Sequence, residues 1–171
     1  MMKLIRKYLV PLCLVLFFQL SCSRPPVPAA ADDGYVNPND LKCSLIGVWE
    51  SDALVVGIDT IHNSETSVVL SISPDEWATK LKLQPIQTIF NPNKTYVSAY
   101  TSIDGKLLKV TAGKWDVEKN HLSIHQLFPD DKEMNYRIDL TAGTAELRSK
   151  LDFDGDGKDD DLYYCQMKKV G

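Results

Sequence analysis

Residues 87–127 decide the fold, and they read QTIFNPNKTYVSAYTSIDGKLLKVTAGKWDVEKNHLSIHQL. Short runs rich in Val, Ile, Thr and aromatic residues alternate with Asn-Pro-Asn, Asp-Gly and Lys-Asn, which are combinations typical of tight turns. Such runs predict a meander of antiparallel strands.

Strands are also predicted on both sides of this stretch. Between Met134 and Leu140 apolar and polar residues alternate, which indicates a strand with one buried face. Val68, Leu70 and Ile72 share one face of another predicted strand. The predicted flanking strands are residues 46–51, 66–72, 134–140, 145–150 and 162–169, with a further short strand at 54–58 inside a loop of residues 52–65. Eight or nine strands joined by short turns, without a long crossover, predict an all-β protein that folds as an up-and-down antiparallel barrel.

One short helix is predicted between two of the strands. Ser73-Pro74-Asp75-Glu76 has the pattern of a capping box with proline at the first helical position, and Trp77 and Leu81 follow at helical spacing. The helix is expected over residues 74–82. It would act either as a lid at a barrel mouth or as a connector whose Trp77 fills core space.

Several short motifs resemble a known family. They are Gly47-Val48-Trp49, Phe90 before Asn-Pro-Asn-Lys, Gly113-Lys114-Trp115 and Leu122-Ser123-Ile124. Together they resemble the bacterial lipocalin-like domains, with one departure, since Lys94 stands where the family usually has glycine. The resemblance implies a β-barrel, and a function such as binding a small hydrophobic ligand inside it.

The N-terminus has the pattern of an export signal. Lys3, Arg6 and Lys7 precede an apolar run from Tyr8 to Phe18, which is too short for a membrane span. Gln19-Leu20-Ser21-Cys22 then resembles the lipobox of bacterial lipoproteins, although Gln19 replaces the usual leucine. The resemblance implies lipidation at Cys22 and anchoring to a membrane of the bacterial cell envelope; the rival is an unlipidated secreted protein cleaved after Ala31.

Three segments follow from this reading: a signal peptide at 1–21, a tether rich in proline and alanine at 22–42, and a barrel domain at 43–171. The mature chain would carry 16 basic and 23 acidic side chains, a net charge of −7. Nucleic acid and anionic lipid headgroups are therefore poor candidates as partners, and no nucleic-acid binding is expected. The sequence predicts no oligomeric state.

Two of the four cysteines are expected in the folded domain. Cys13 is lost with the signal and Cys22 is the predicted lipidation site, which leaves Cys43 and Cys165. An exported protein with two cysteines most simply forms one disulfide, and the first and last strands of a closed meander are neighbours. A Cys43–Cys165 disulfide is expected, with two buried free thiols as the alternative.

The most distinctive local motif is the acidic stretch DFDGDGKDDD at residues 152–161. Its oxygens and glycine follow the spacing with which one loop can wrap Ca²⁺. The predicted ligands are the carboxylates of Asp152, Asp154, Asp156 and Asp160 and the carbonyl of Lys158. The ion would be structural, and the alternative is a solvated turn rich in Asp and Gly.

Histidines do not suggest a catalytic or metal site. His121 and His125 are expected on one strand face roughly 13 Å apart, too far for a single metal ion. They and His62 are expected on the surface. No catalytic motif is recognisable, so the protein is predicted not to be an enzyme.

Aromatic side chains are the remaining candidates for a binding site. Tyr96 and Tyr100 share one face of a predicted strand, where they would either line a ligand cavity or belong to the core. Trp49 and Trp115 are expected in the core. A ligand carrier requires a hollow barrel, whereas a structural or interaction lipoprotein would have a barrel filled by side chains.

Overall fold

The computed structural model describes residues 38–58 and 67–171, which contain one α-helix, nine strands and two short helical turns. The predicted signal peptide, the lipidation site Cys22 and His62 lie outside the described residues. The elements are α1 (Pro38–Leu45), β1 (Gly47–Ile58), β2 (Val68–Ile72), a 3₁₀ turn (Pro74–Glu76), a π-helical turn (Trp77–Leu81), β3 (Gln87–Phe90), β4 (Thr95–Thr101), β5 (Leu107–Glu118), β6 (His121–Phe128), β7 (Lys132–Thr141), β8 (Thr144–Leu151) and β9 (Asp161–Lys169). Within the described ranges, no helix has both the length and the apolar character that crossing a membrane requires.

Eight of the strands close into a barrel. Each strand from β3 to β8 pairs antiparallel with the next, and β1 closes the ring by pairing with both β3 and β9. The predicted up-and-down antiparallel barrel is therefore confirmed. The ninth strand, β2, lies outside the ring and pairs with the second half of β1.

The face of β2 that Val68, Leu70 and Ile72 share, as predicted, is only partly buried. Ile72 is buried, but Val68 and Leu70 are 44% and 37% exposed. Because β2 pairs with β1 alone, its residues before Ile72 have little of the barrel to cover them. Apolar alternation by itself did not distinguish this appended strand from a strand of the ring.

Strand β1 is longer than predicted, and the expected loop does not begin at residue 52. The strand continues to Ile58 because it pairs with β9 on one edge and with β2 on the other. A bulge between Ser51 and Ala53 shifts the register there. Trp49 and Ser51, at odd positions, are buried before the bulge, and Val56, at an even position, is buried after it. The inward-facing positions therefore shift by one residue at the bulge, and the sequence pattern no longer resembles that of one continuous strand.

Helix α1 occupies residues that were expected to belong to the tether or to lead into the first strand. It begins at Pro38, as proline favours at a first helical position, and it buries Leu41 and Leu45. The indole Nε1 of Trp49 donates a hydrogen bond of 2.7 Å to the carbonyl of Leu45. Since α1 leads into β1 and contacts β5 and β7 on the far side of the ring, it covers one end of the barrel.

The predicted helix at 74–82 is present as the 3₁₀ turn and the π-helical turn. The backbone N–H of Ser73 donates to the Glu76 carboxylate at 3.0 Å, which is one half of the predicted capping box. Trp77 is 2% exposed and its indole N–H donates to the carbonyl of Asp52 at 2.9 Å. These contacts anchor the segment as a connector whose tryptophan packs against β1.

The two ends of the barrel differ. The turns β3–β4, β5–β6 and β7–β8 lie at the end covered by α1, here called the closed end. The loops β4–β5, β6–β7 and β8–β9 and the β2–β3 connector lie at the opposite, open end. Trp49 and Trp115 are buried towards the closed end, which confirms their predicted place in the core.

Candidate functional site

The candidate site is a cavity of about 130 Å³ inside the barrel. Residues from β1 and from β3 to β9 line it, together with Ile86 just before β3, and none of them carries a formal charge at neutral pH. The lining residues are Ser51, Ile86, Thr88, Phe90, Tyr96, Ser98, Tyr100, Thr111, Leu122, Ile124, Gln126, Met134, Tyr136, Leu147, Tyr163, Cys165 and Met167. The barrel is therefore neither filled throughout nor hollow throughout, because many of the lining residues also belong to the buried core.

Hydroxyl groups form a row across one wall of the cavity. Thr88, Ser98 and Thr111 occupy β3, β4 and β5, and Ser98 is the cross-strand partner of both of the others. All three side chains are buried, and the Thr88 and Ser98 hydroxyls lie 2.8 Å apart in a hydrogen bond. This wall can hydrogen-bond but carries no charge.

The structure places both predicted tyrosines on the cavity wall. Tyr96 lies one inward position closer to the closed end than Ser98, and Tyr100 lies one position closer to the open end. Tyr96 is 4% exposed, and its ring packs near Phe90 with a centroid distance of 6.5 Å.

Sequence reasoning missed two further tyrosines. Tyr136 and Tyr163 also line the cavity, and their ring centroids are 5.6 Å apart. Alternation had placed Tyr136 on the buried face of β7, but it gave no indication that a cavity lies beside it.

Burial keeps the acidic groups of the cavity protonated. It raises the pKa of the Tyr96 and Tyr100 phenols and of the Cys165 thiol above their usual values. The same cause raises the pKa of Tyr136 and Tyr163 still further. At neutral pH these side chains can therefore donate hydrogen bonds but offer no negative charge to a cation.

The predicted Cys43–Cys165 disulfide is wrong, because Cys165 is a free thiol buried at the cavity wall. Its Sγ lies 3.7 Å from the hydroxyl oxygen of Ser51. Cys165 pairs with Leu54, seven residues beyond the start of β1 and about 20 Å along the strand. Cys43 lies in α1 at the closed end, and a disulfide requires Cα atoms about 4.4–6.8 Å apart.

The acidic loop between β8 and β9 brings three carboxylates together. One oxygen from each of Asp152, Asp154 and Asp161 lies within 4.8 Å of the others. Asp161 is buried, and its carboxylate accepts hydrogen bonds from the backbone N–H groups of Phe153 and Asp154 at 2.7 and 3.3 Å. Asp152 accepts from the N–H groups of Gly155 and Gly157.

The grouping differs from the predicted ligand set. Asp152 and Asp154 belong to the cluster, whereas Asp156 forms an ion pair with the Lys158 ammonium at 3.1 Å and Asp160 is outside the group. Asp161 was missed because the predicted spacing assigned the ninth loop position to Asp160. As the first residue of β9 and the partner of Leu151, Asp161 instead points back under the loop.

The histidines on β6 lie on its outer, partly exposed positions. The Nε2 atom of His125 is 2.9 Å from a carboxylate oxygen of the exposed Asp131, and His121 is exposed. This agrees with their predicted surface location.

Exposed apolar side chains are concentrated around the open end. They lie in the loops and strand ends that surround it and form an apolar rim, defined here as Ile103, Leu107, Leu108, Leu127, Phe128, Phe153 and Leu162. Phe153 stacks on the cavity residue Tyr163 with a centroid distance of 5.9 Å. The rim therefore adjoins the cavity wall.

A second depression, of about 420 Å³, lies against β5, β6 and β7. Unlike the interior cavity it is bordered by charged side chains, including Lys94, Asp116 and Glu133. Lys94 and Asp116 are already paired at 3.1 Å. The interior cavity is therefore the better candidate for a neutral ligand.

Comparison with known proteins gives matches among solved structures only. No protein-family model matches the sequence, and no curated protein is significantly similar to it. A lipocalin-like protein from Bacteroides uniformis aligns with 74% of this chain and 99% of its own, at 14% identity and a TM-score of 0.42. An uncharacterized protein from Bacteroides eggerthii aligns over the same shares at 11% identity and a TM-score of 0.43. At these values, any function must be inferred from the geometry of this chain.

Proposed function

We propose that the protein binds a small, largely apolar molecule inside the barrel. The observation that carries this proposal is the uncharged cavity of about 130 Å³ inside the barrel. Concave, mainly apolar sites with a few polar groups are the usual form of small-molecule sites. The apolar rim supports the proposal, because it gives such a ligand an apolar surface beside the cavity.

Toluene is a suitable first probe because it has the size of the cavity and no polar group. We expect saturable heat of binding by calorimetry and an increase in melting temperature, since a ligand at 100 times its Kd stabilises by about 2.7 kcal/mol. The variant Cys165→Leu fills part of the cavity and should weaken binding. Gln166→Leu, on the other face of the same strand, should not.

Absence of saturable binding to the folded wild-type chain would contradict the proposal. It would favour the alternative, a structural or interaction protein that uses its outer surface. No catalytic step is proposed for either case.

We also propose that the β8–β9 loop binds Ca²⁺ as a structural ion. Asp152, Asp154 and Asp161 would supply carboxylate oxygens, which are the ligands that Ca²⁺ prefers. The expected result is a saturable increase in melting temperature with Ca²⁺ that Mg²⁺ does not reproduce and that Asp154→Asn abolishes. The same increase in Asp154→Asn would contradict the proposal, and Asp159→Asn serves as the control.

Membrane anchoring through Cys22 is a further part of the proposal. Its support is the lipobox-like sequence, and acyl chains would contribute about 0.8 kcal/mol per buried methylene. In bacteria fed labelled palmitate, the full chain should become labelled and partition into detergent. Cys22→Ala should lose both properties, and a labelled Cys22→Ala chain would exclude this site.

A further inference from the structure

Phe153, in the β8–β9 loop, packs against a residue of the cavity wall. Its ring lies nearly parallel to that of Tyr163, with 16° between the ring planes and 5.9 Å between the centroids. Tyr163 lines the cavity, and so does Tyr136, whose ring centroid is 5.6 Å from that of Tyr163. Phe153 is not among the lining residues. The Tyr163 ring therefore has one aromatic neighbour in the loop and another in the cavity wall.

The strand neighbours of Tyr163 leave the position of its ring to these two contacts. Tyr163 pairs with Val56 on β1 and with Ser149 on β8, and neither partner has a long or aromatic side chain. Directly opposite residues supply the main side-chain contacts within a sheet. Because both partners are small, the stack with Phe153 is the contact that limits movement of the Tyr163 ring away from Tyr136.

The backbone of the loop fixes where the Phe153 ring lies. The Phe153 N–H group donates a hydrogen bond of 2.7 Å to the carboxylate of Asp161, which is buried. Asp161 begins β9 and lies two residues before Tyr163, on the same face of that strand. The loop therefore places its aromatic ring beside the tyrosine. Phe153 remains 44% exposed in this position, so core filling does not account for it.

The volume of the cavity depends on where the Tyr163 ring lies. Apolar cavities of about 150 Å³ accommodate benzene, so about 130 Å³ suits one six-membered ring with few substituents. Two fused rings exceed this space. Removal of the Phe153 side chain would leave an open position into which the Tyr163 ring can turn, and the cavity would widen as the wall relaxes.

We infer that Phe153 determines the size of the ligand that the cavity accepts, by holding the Tyr163 ring in the cavity wall. The inference rests on the proposed function, since it limits the ligand of the same cavity to compounds with one ring. Phe153 is a positioning residue, because it acts on the ligand only through Tyr163. One residue of the apolar rim therefore contributes to ligand selection.

The test compares toluene, which has one ring, with naphthalene, which has two fused rings, by calorimetry on the full chain. Chelator is present throughout, so that no cation in the loop contributes. Wild type should bind toluene about tenfold more tightly than naphthalene, which is the usual scale of an overpacking penalty. Phe153→Ala should bind naphthalene about tenfold more tightly than wild type does, and toluene less tightly than wild type does.

Three further variants serve as controls. Phe153→Tyr keeps the aromatic ring and should retain the preference of wild type for toluene. Phe153→Leu fills part of the same space and should show intermediate binding of naphthalene, which provides a second variant if Phe153→Ala does not fold. Phe128→Ala removes a rim aromatic that is 57% exposed and stacks on none of the cavity residues that the structure describes. It should leave both affinities unchanged, and thermal unfolding establishes that each variant is folded.

The outcomes separate the two proposals. If Phe153→Ala and Phe153→Leu keep the preference of wild type, or if Phe128→Ala changes it equally, the role of Phe153 is overturned while the binding function stands. Naphthalene binding to wild type as tight as that of toluene would overturn the size limit. Failure of both probes to bind wild type would reject the binding function and this inference together.

Discussion

Replacing Gly113 with alanine is expected to destabilise the barrel by about 3 kcal/mol. A Cβ atom at this position would lie 2.0 Å from the carbonyl oxygen of His125 and 2.9 Å from the Cα atom of Gln126. Both atoms belong to the backbone of β6, so no flexible side chain can move aside. Ordinary contact begins near 3.4 Å, and the two strands would have to separate by about 1.4 Å at this point.

The magnitude follows from what the separation breaks. Gly113 pairs with Gln126 beside a register shift at Ala112, where β6 carries an extra residue and approaches β5 closely. Overpacking costs about 1–3 kcal/mol, and a weakened backbone hydrogen bond adds about 1 kcal/mol. For a domain of this size the melting temperature should fall by roughly 10 °C.

Urea unfolding followed by tryptophan fluorescence provides the assay. Gly57→Ala is the matched control, because Gly57 is also a buried strand glycine but its Cβ would make only ordinary contact, 3.6 Å from the Cβ of Leu162. That variant should change the free energy of unfolding by less than about 1 kcal/mol. If Gly113→Ala and Gly57→Ala were equally stable, the close approach of β5 and β6 would not explain why position 113 is a glycine.

Three further outcomes are expected. Tyr136 and Tyr163 have a raised pKa in the folded protein, so their stabilising contribution is complete below pH 10 and decreases above it. The free energy of unfolding should fall by about 1.4 kcal/mol per pH unit for each phenol that stays protonated in the folded protein. Urea unfolding midpoints that do not change up to pH 11 would contradict this. Leu45→Ala removes a fully buried side chain and should lower the free energy of unfolding in urea by about 3 kcal/mol. The control Leu162→Ala changes an exposed side chain and should lower it by less than about 0.5 kcal/mol. Equal losses of stability would argue against α1 as part of the core. Asp161→Ala should lower the free energy of unfolding by about 3 kcal/mol even in the presence of chelator, because two backbone N–H groups lose their acceptor. A loss of stability that appears only when Ca²⁺ is present would assign Asp161 a purely ligating role.

The sequence predicted the barrel because strand alternation and turn residues are local signals. The Met134–Leu140 pattern and the turns after Phe90 and Val117 were sufficient to define strands and their order. The bulge at Ser51 was not predictable in this way, since a phase change in alternation resembles the end of a strand. Helix α1 was missed because its residues were read as part of the Pro-rich tether and the approach to the first strand.

The candidate site was predictable only in part. Tyr96 and Tyr100 were identified because they share a strand face, but the uncharged cavity depends on residues from β1 and from β3 to β9. Cys165 illustrates the difference between neighbouring strands and neighbouring residues. Strands β1 and β9 do pair as expected, yet Cys165 lies opposite Leu54, well inside that pair, whereas Cys43 lies in α1 before β1 begins.

The pairing of β1 with β9 also has consequences for the order of folding. Val48 exchanges backbone hydrogen bonds with Val170 and Gly171, so the ring closes between residues near the two ends of the described chain. Contacts between distant residues slow folding, and a chain that lacks β9 would expose the edges of β1 and β8 to other chains. Closure must therefore wait until β9 has left the ribosome. Deletion of residues 161–171 is expected to give aggregates, detectable by light scattering, rather than a smaller soluble domain.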